Sequence, residues 1–268
     1  MKLTHKLCGA ALLVVMGAAV AAPNNIKADD GVGVKGEGEI QFTSSSSSST
    51  SFTNSSGSGT DVITSGGATS DANGFGISYV SDLKFGKHGI VTDGNQNGPY
   101  WATKWIGNAG NKDQVENSNF INFEDVRNIA DHKYEITAEI SQEFTQAVNG
   151  VDKKLAGATL TYNNMGLRSA TADPGLFPDS SALKSGAVVE AGKKTPMLQN
   201  VNTNNDPVFE KGYGHYTLYF GKYEVASTDS ESAEKSVMLT VPKKGNTVIY
   251  EGAYKAGITW TMSATFQP

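Results

Sequence analysis

Two stretches of this chain alternate apolar and polar residues for long enough to dictate β-structure. In Tyr134–Phe144, the residues Tyr134, Ile136, Ala138, Ile140 and Phe144 share one face, and Glu135, Thr137, Glu139, Ser141 and Glu143 share the other. In Ile258–Phe266, Ile258, Trp260, Met262, Ala264 and Phe266 oppose Thr259, Thr261, Ser263 and Thr265. A strand points successive side chains to opposite faces, so each pattern predicts one buried face and one wet face. Antiparallel sheets are the usual setting for such half-wet strands. Weaker runs of the same kind lie at Ile77–Phe85, Phe120–Phe123, Ala158–Tyr162, His215–Phe220, Val237–Val241 and Thr247–Tyr250. Gly, Asn, Asp and Pro clusters separate them, and no helical stripe exceeds about two turns. The predicted fold is all-β, an antiparallel β-sandwich. Two Gly/Asn/Lys-rich excursions, Gly86–Asn119 and Met165–Gly212, are expected to be long loops.

The ends of the chain read differently. Lys2 and Lys6 precede Leu7–Ala22, a run without charge. A positive start and a short apolar run form the pattern of a secretory signal peptide, and the run is too short to span a bilayer. Cleavage is expected after Ala28, with Ala21 as the alternative. Residues 29–43 then hold an opening strand, 44–73 a Ser/Gly/Thr-rich segment expected to be flexible and disordered, and 74–268 the β domain. The whole chain carries a net charge of -5, and removal of residues 1–28 would leave -8. With no basic excess to neutralise phosphates, nucleic acid is not an expected partner. The single cysteine, Cys8, excludes an intrachain disulfide. No second apolar run follows, so no membrane insertion is expected once the signal is removed.

Catalytic and metal chemistry find little support. His88, His132 and His215 lie in no ligand spacing, so no metal is expected. Ser81-Asp82-Leu83-Lys84 and Ser181-Ala182-Leu183-Lys184 match Ser-x-x-Lys, but that motif requires a helix start. No phosphate loop or Gly-x-Ser-x-Gly occurs, so no cofactor and no enzyme activity are expected. Asp93–Gly98 resembles half a calcium loop, but Lys104 stands where a carboxylate is needed. Glu135, Glu139 and Glu143 are spaced by about 13 Å along their strand, too far apart for a glycosidase pair.

Two groups remain as candidate contacts. Tyr100, Trp101 and Trp105 cluster in the first excursion, where aromatic rings suit stacking on sugars. Lys153-Lys154, Lys193-Lys194 and Lys243-Lys244 would form a basic patch if the fold gathers them.

The ordered motifs resemble a known family. Ser236-Val237-Met238-Leu239-Thr240-Val241-Pro242 and Gly252-Ala253-Tyr254-Lys255-Ala256-Gly257-Ile258-Thr259-Trp260-Thr261-Met262-Ser263 are similar to the C-terminal strands of the WxL cell-wall-binding domain of Gram-positive surface proteins. Ile77–Gly86, Leu155–Leu160 and Gly38–Phe42 resemble its earlier strands, in the same order. Trp260-Thr261-Met262 occupies the second signature, with Met in place of Leu. Tyr134-Glu135-Ile136 stands where the first is expected, with neither Trp nor Leu. The resemblance implies an exported protein at the extracellular cell-wall surface, held without a covalent tether by peptidoglycan or an associated wall polymer. It also implies a membrane-anchored surface protein as partner. On the alternation, Trp260, Met262, Tyr134 and Ile136 are expected in the core, leaving wall contact to loops or the polar faces. The competing readings are an adhesin or surface-complex subunit with a protein ligand, and a glycan-active enzyme.

Overall fold

The computed structural model describes residues 32–43, 69–70, 74–90, 99–112, 114–169 and 172–266. The signal-peptide stretch, most of the serine-rich segment and Asp93–Gly98 lie outside the described residues. The strands in chain order are β1 (Val32–Thr43), β2 (Thr69–Ser70), β3 (Phe75–Val80), β4 (Leu83–Gly89), β5 (Tyr100–Trp101), β6 (Trp105–Gly107), β7 (Val115–Asn117) and β8 (Asn119–Asp125). They continue as β9 (Tyr134–Val148), β10 (Val151–Lys154), β11 (Thr159–Tyr162), β12 (Met165–Arg168), β13 (Ala187–Val189), β14 (Thr195–Asn200), β15 (Gly214–Phe220), β16 (Val237–Thr240) and β17 (Gly252–Ser263). Among the described residues the only helical pieces are three short 3-10 turns, and none is long and apolar enough to cross a membrane. The fold is all-β.

A six-stranded sheet runs β10-β9-β17-β1-β4, with β14 also paired to β9. A five-stranded sheet runs β12-β15-β8-β3-β2 and a four-stranded sheet β13-β11-β16-β5, while β6 and β7 form a separate hairpin. The named strands pair antiparallel, except that β1 lies parallel to β4. The six-stranded sheet forms one layer, and its inner face is covered by the other two sheets. Tyr134 meets Phe123 of the five-stranded sheet at 5.7 Å between ring centroids. Phe42 meets Tyr100 of the four-stranded sheet, also at 5.7 Å. Ile136, Ala138, Ile140 and Phe144 of β9 and Tyr254, Ala256, Ile258, Trp260 and Met262 of β17 are all buried. Each large side chain removed from water here stabilises the fold by about 1.5–3 kcal/mol.

Phe144 keeps its inward position through two irregularities. Ile258 pairs with Ile140, Gly257 with Gln142 and Lys255 with Thr145, so β9 carries two extra residues against β17. One bulge would invert the alternation, and the second restores it. The glycines of β1 serve the same packing. A Cβ at Gly38 would sit 3.1 Å from Phe144 Cζ, and one at Gly36 would sit 2.7 Å from Val80 Cγ1. Side chains from the facing layer and from β9 fill the space that β1 leaves empty.

The structure corrects several expectations. Ile77–Phe85 is not one strand. At Ser81-Asp82 the chain leaves the five-stranded sheet and enters the six-stranded one. Ser81 turns this corner by accepting, at its Oγ, the Phe120 N–H at 2.8 Å, while Asp82 accepts from the Glu37 N–H at 3.2 Å. Thr247–Tyr250 is not a strand, because Asn246 binds Pro242 O and both backbone groups of Ala156, closing the segment as a loop. The last strand ends at Ser263, short of Ala264–Phe266. The two excursions are not plain loops: the first holds β5, β6 and β7, and the second holds β12, β13 and β14. β14 buries Met197 and Leu198 and extends the main sheet beside Tyr134. Thr69–Ser70, within the segment expected to be disordered, pairs with β3.

Candidate functional site

The signature residues come from adjacent strands. Met262 pairs with Ile136, and Trp260 with Ala138. Trp260 is 2 % exposed, and its indole lies 5.5 Å from the Tyr162 ring and 6.0 Å from Phe220. Tyr162 belongs to the four-stranded sheet and Phe220 to the five-stranded one, so Trp260 marks the seam of all three sheets. Burial pushes the Tyr162 hydroxyl pKa well up, and nothing charged offsets it. Tyr134 is fully buried against Phe75 and Phe123, and its hydroxyl reaches Gly212 O at 3.5 Å. These four side chains offer no surface to a polymer.

Near Tyr134 lies a charge cluster built around the buried Asp125. Arg127 donates to Asp125 from Nε at 2.8 Å and from Nη2 at 2.7 Å, and its guanidinium lies 3.8 Å from the Phe75 ring centroid. His132 Nδ1 stands 3.1 Å from Asp125 Oδ2. The Asp125 side chain has no exposed surface, so it is held by its partners and not by water.

The aromatic candidates separate in space. Tyr100 and Trp101 are neighbours on β5 and face opposite ways. Tyr100 packs on Phe42 and His88, and burial raises its hydroxyl pKa. It offers a sugar no open ring face. Trp101 is half-buried on the outer face of the four-stranded sheet, with Lys235 Nζ 5.5 Å from its ring centroid.

Trp105 leads to a different surface. The hairpin β6–β7 carries it to the outer face of the five-stranded sheet. There Tyr79 stacks on Phe120 at 5.2 Å, and Trp105 meets Phe120 edge-on at 5.3 Å. The Trp105 indole N–H donates to the Tyr79 hydroxyl, which partly opposes the upward push of burial on that hydroxyl. Tyr219 pairs with Phe120 across the strands, and Arg168 lies 5.7 Å from the Tyr219 ring centroid. Gly166 stands opposite Tyr219. A Cβ there would strike the Tyr219 ring, so the glycine lets that ring lie down on the sheet. Further along the same face Thr217 donates to Asn122 Oδ1 at 2.8 Å, and His215 stands 2.8 Å from Glu124. The face thus runs from half-buried aromatic rings to hydrogen-bonding polar groups, a combination suited to the ring faces and hydroxyls of a glycan.

Tyr79, Phe120, Tyr219 and Arg168 were not legible as a group in the sequence. They come from four strands widely separated along the chain. The available signal was an aromatic residue at a wet position of an alternating run, as Tyr219 is between Leu218 and Phe220.

The lysine pairs are only partly gathered. Lys153 and Lys154 on β10 lie near the 242–246 loop, because Asn246 clasps the adjacent Ala156 at 2.8 Å. Lys243 and Lys244 in that loop are exposed. Lys193 and Lys194 precede Thr195, which pairs with Ala138, whereas Lys154 pairs with Thr145. Seven residues along β9 set these two groups about 23 Å apart. Lys154 donates to Glu143 at 2.6 Å, which raises its pKa, and Lys193 stands 3.5 Å from Glu190. Among the described residues no group of three or more His, Cys, Asp or Glu could hold a metal.

In comparison with known families, residues 64–265 match the one described as WxL domain surface cell wall-binding. No curated protein matches the chain.

Proposed function

The chain belongs to the WxL domain family of surface cell-wall-binding proteins, and from that premise we propose that it is exported and held non-covalently by peptidoglycan. It is a cell-wall surface protein. On this reading it performs no catalysis, and its contact with the glycan is made by the outer face of the five-stranded sheet. The observation that supports the placement is the aromatic row of Trp105, Tyr79 and Tyr219, which borders exposed Arg168 and the polar Asn122–Thr217 pair. Trp101 is a second candidate contact, and the lysines Lys153, Lys154, Lys243 and Lys244 are candidates for wall phosphates. A membrane-anchored surface protein remains the partner proposed by family likeness.

Pull-down with purified cell-wall sacculi tests this. Trp105→Ala and Tyr219→Ala are each expected to weaken retention about fivefold, the equivalent of roughly 1 kcal/mol of stacking. Unchanged retention in the double variant would move the contact elsewhere. Release of soluble sugar fragments would identify an enzyme, and loss of binding after proteolytic stripping of the sacculi would identify a protein ligand.

A further inference from the structure

We propose that β1 is an exchangeable strand, and that the slot between β17 and β4 also accepts β1 from a second copy of this chain. In the structure β1 is a full inner member of the six-stranded sheet. It pairs antiparallel with β17 from Val32↔Met262 to Phe42↔Gly252, and parallel with β4 from Gly38↔Leu83 to Thr43↔Gly89. Val34, Ile40 and Phe42 are at most 2 % exposed, and Phe42 stacks edge-on against Tyr100 and Tyr254. An empty slot would bare two strand edges and the core behind them, so the fold requires a strand there.

Nothing in the slot specifies whose strand fills it. Residues 32–43 fall outside the family match at 64–265, yet they complete its core. Residues 44–68 separate β1 from β2, a connection of 25 residues. Fully extended, such a connection spans about 85 Å, roughly twice the ~40 Å length of β1 itself. A connection of this length gives β1 an effective concentration in its own slot of order millimolar, so crowded copies on a wall can compete with it. Exchange preserves every contact of the closed form and changes only the chain that supplies it.

Paired single-cysteine chains test the idea. One carries Lys35→Cys and the other Thr259→Cys, each with Cys8→Ser. Positions 35 and 259 are Cα partners on the outer face, so a disulfide forms wherever β1 meets β17. The two chains are unfolded, refolded together from about micromolar to about millimolar protein, and oxidised. The expected result is a covalent dimer whose fraction rises with concentration. A chain carrying both cysteines is the geometric control and closes within itself at low concentration. Lys244→Cys in place of Thr259→Cys is the collision control and gives no dimer. The proposal is overturned if the double-cysteine chain closes while the mixed chains stay monomeric at every concentration. It is equally overturned if the collision control dimerises as well as the test pair.

Discussion

At the scale of single residues, the signature side chains lie in the core. Trp260 lies among Tyr162 and Phe220 at the junction of three sheets. Trp260→Ala is expected to cost about 3–5 kcal/mol through the cavity it leaves. A thermal melt checks this, and an unchanged melting temperature with lost wall binding would place the indole at the ligand. Asp125→Ala is expected to cost somewhat less, about 2–3 kcal/mol, because it strips the half-buried Arg127 and the buried His132 of their shared partner. The tyrosines add a pH limit. Burial, reinforced by Asp125, pushes the Tyr216 pKa up to about 12 from an ordinary 10.0. Burial raises Tyr134 and Tyr162 as well. A group with a raised folded pKa contributes stability that is complete below its unfolded value and is lost as pH climbs toward the folded one. The melting temperature should therefore be insensitive to these groups below pH 10 and fall between pH 10 and about 12. A melting series across that range tests it.

At the scale of elements, β9 holds the sheet in register by means of two extra residues. Deleting Gln142 alone removes one of them. The Ile140–Ile258 and Thr145–Lys255 pairs can both persist without the extra residue, so Phe144 still faces the core. A cooperative melt at a modestly lowered temperature is the expected outcome. Loss of the cooperative melt and of near-ultraviolet dichroism would show that the strand had instead slipped by one residue and turned Phe144 to water. This element also shows what could be read in advance. The inward set Tyr134, Ile136, Ala138, Ile140 and Phe144 followed from hydrophobicity, and so did Ile258, Trp260 and Met262. The bulges themselves did not, because backbone pairing leaves no mark on composition. β14 was missed for a related reason. Pro196 and its Gly/Lys-rich approach read as loop, but Met197 and Leu198 are buried by the edge of β9 that needed a partner. Ser81-Asp82 falls inside the alternating run Ile77–Phe85, and only the hydrogen bond from the Phe120 N–H makes it a corner between sheets. The outer aromatic face was illegible for the same cause, since cross-strand neighbours are set by topology and not by spacing.

At the scale of the whole molecule, charge and aromatic contact make opposite demands on salt. The chain is acidic at -5, and several of its lysines are matched to acids: Lys154 with Glu143, Lys193 with Glu190, Lys222 with Glu231 and Lys255 with Glu39. A wall rich in phosphate polymers repels such a surface at long range. Adding salt removes that repulsion as well as any local attraction, while stacking on Trp105 and Tyr219 is indifferent to it. The screening length falls from about 30 Å at 0.01 M to about 4 Å at 0.5 M, so both electrostatic effects are lost over that range. If the aromatic face makes the contact, retention on sacculi should change by less than about twofold between these conditions. If Lys153, Lys154, Lys243 and Lys244 make it, retention should collapse, and replacing those four by Gln should reproduce the collapse at low salt. The two outcomes assign the wall contact to opposite chemistries on one measured curve. A steep curve would therefore displace the aromatic face while leaving family, fold and wall association intact.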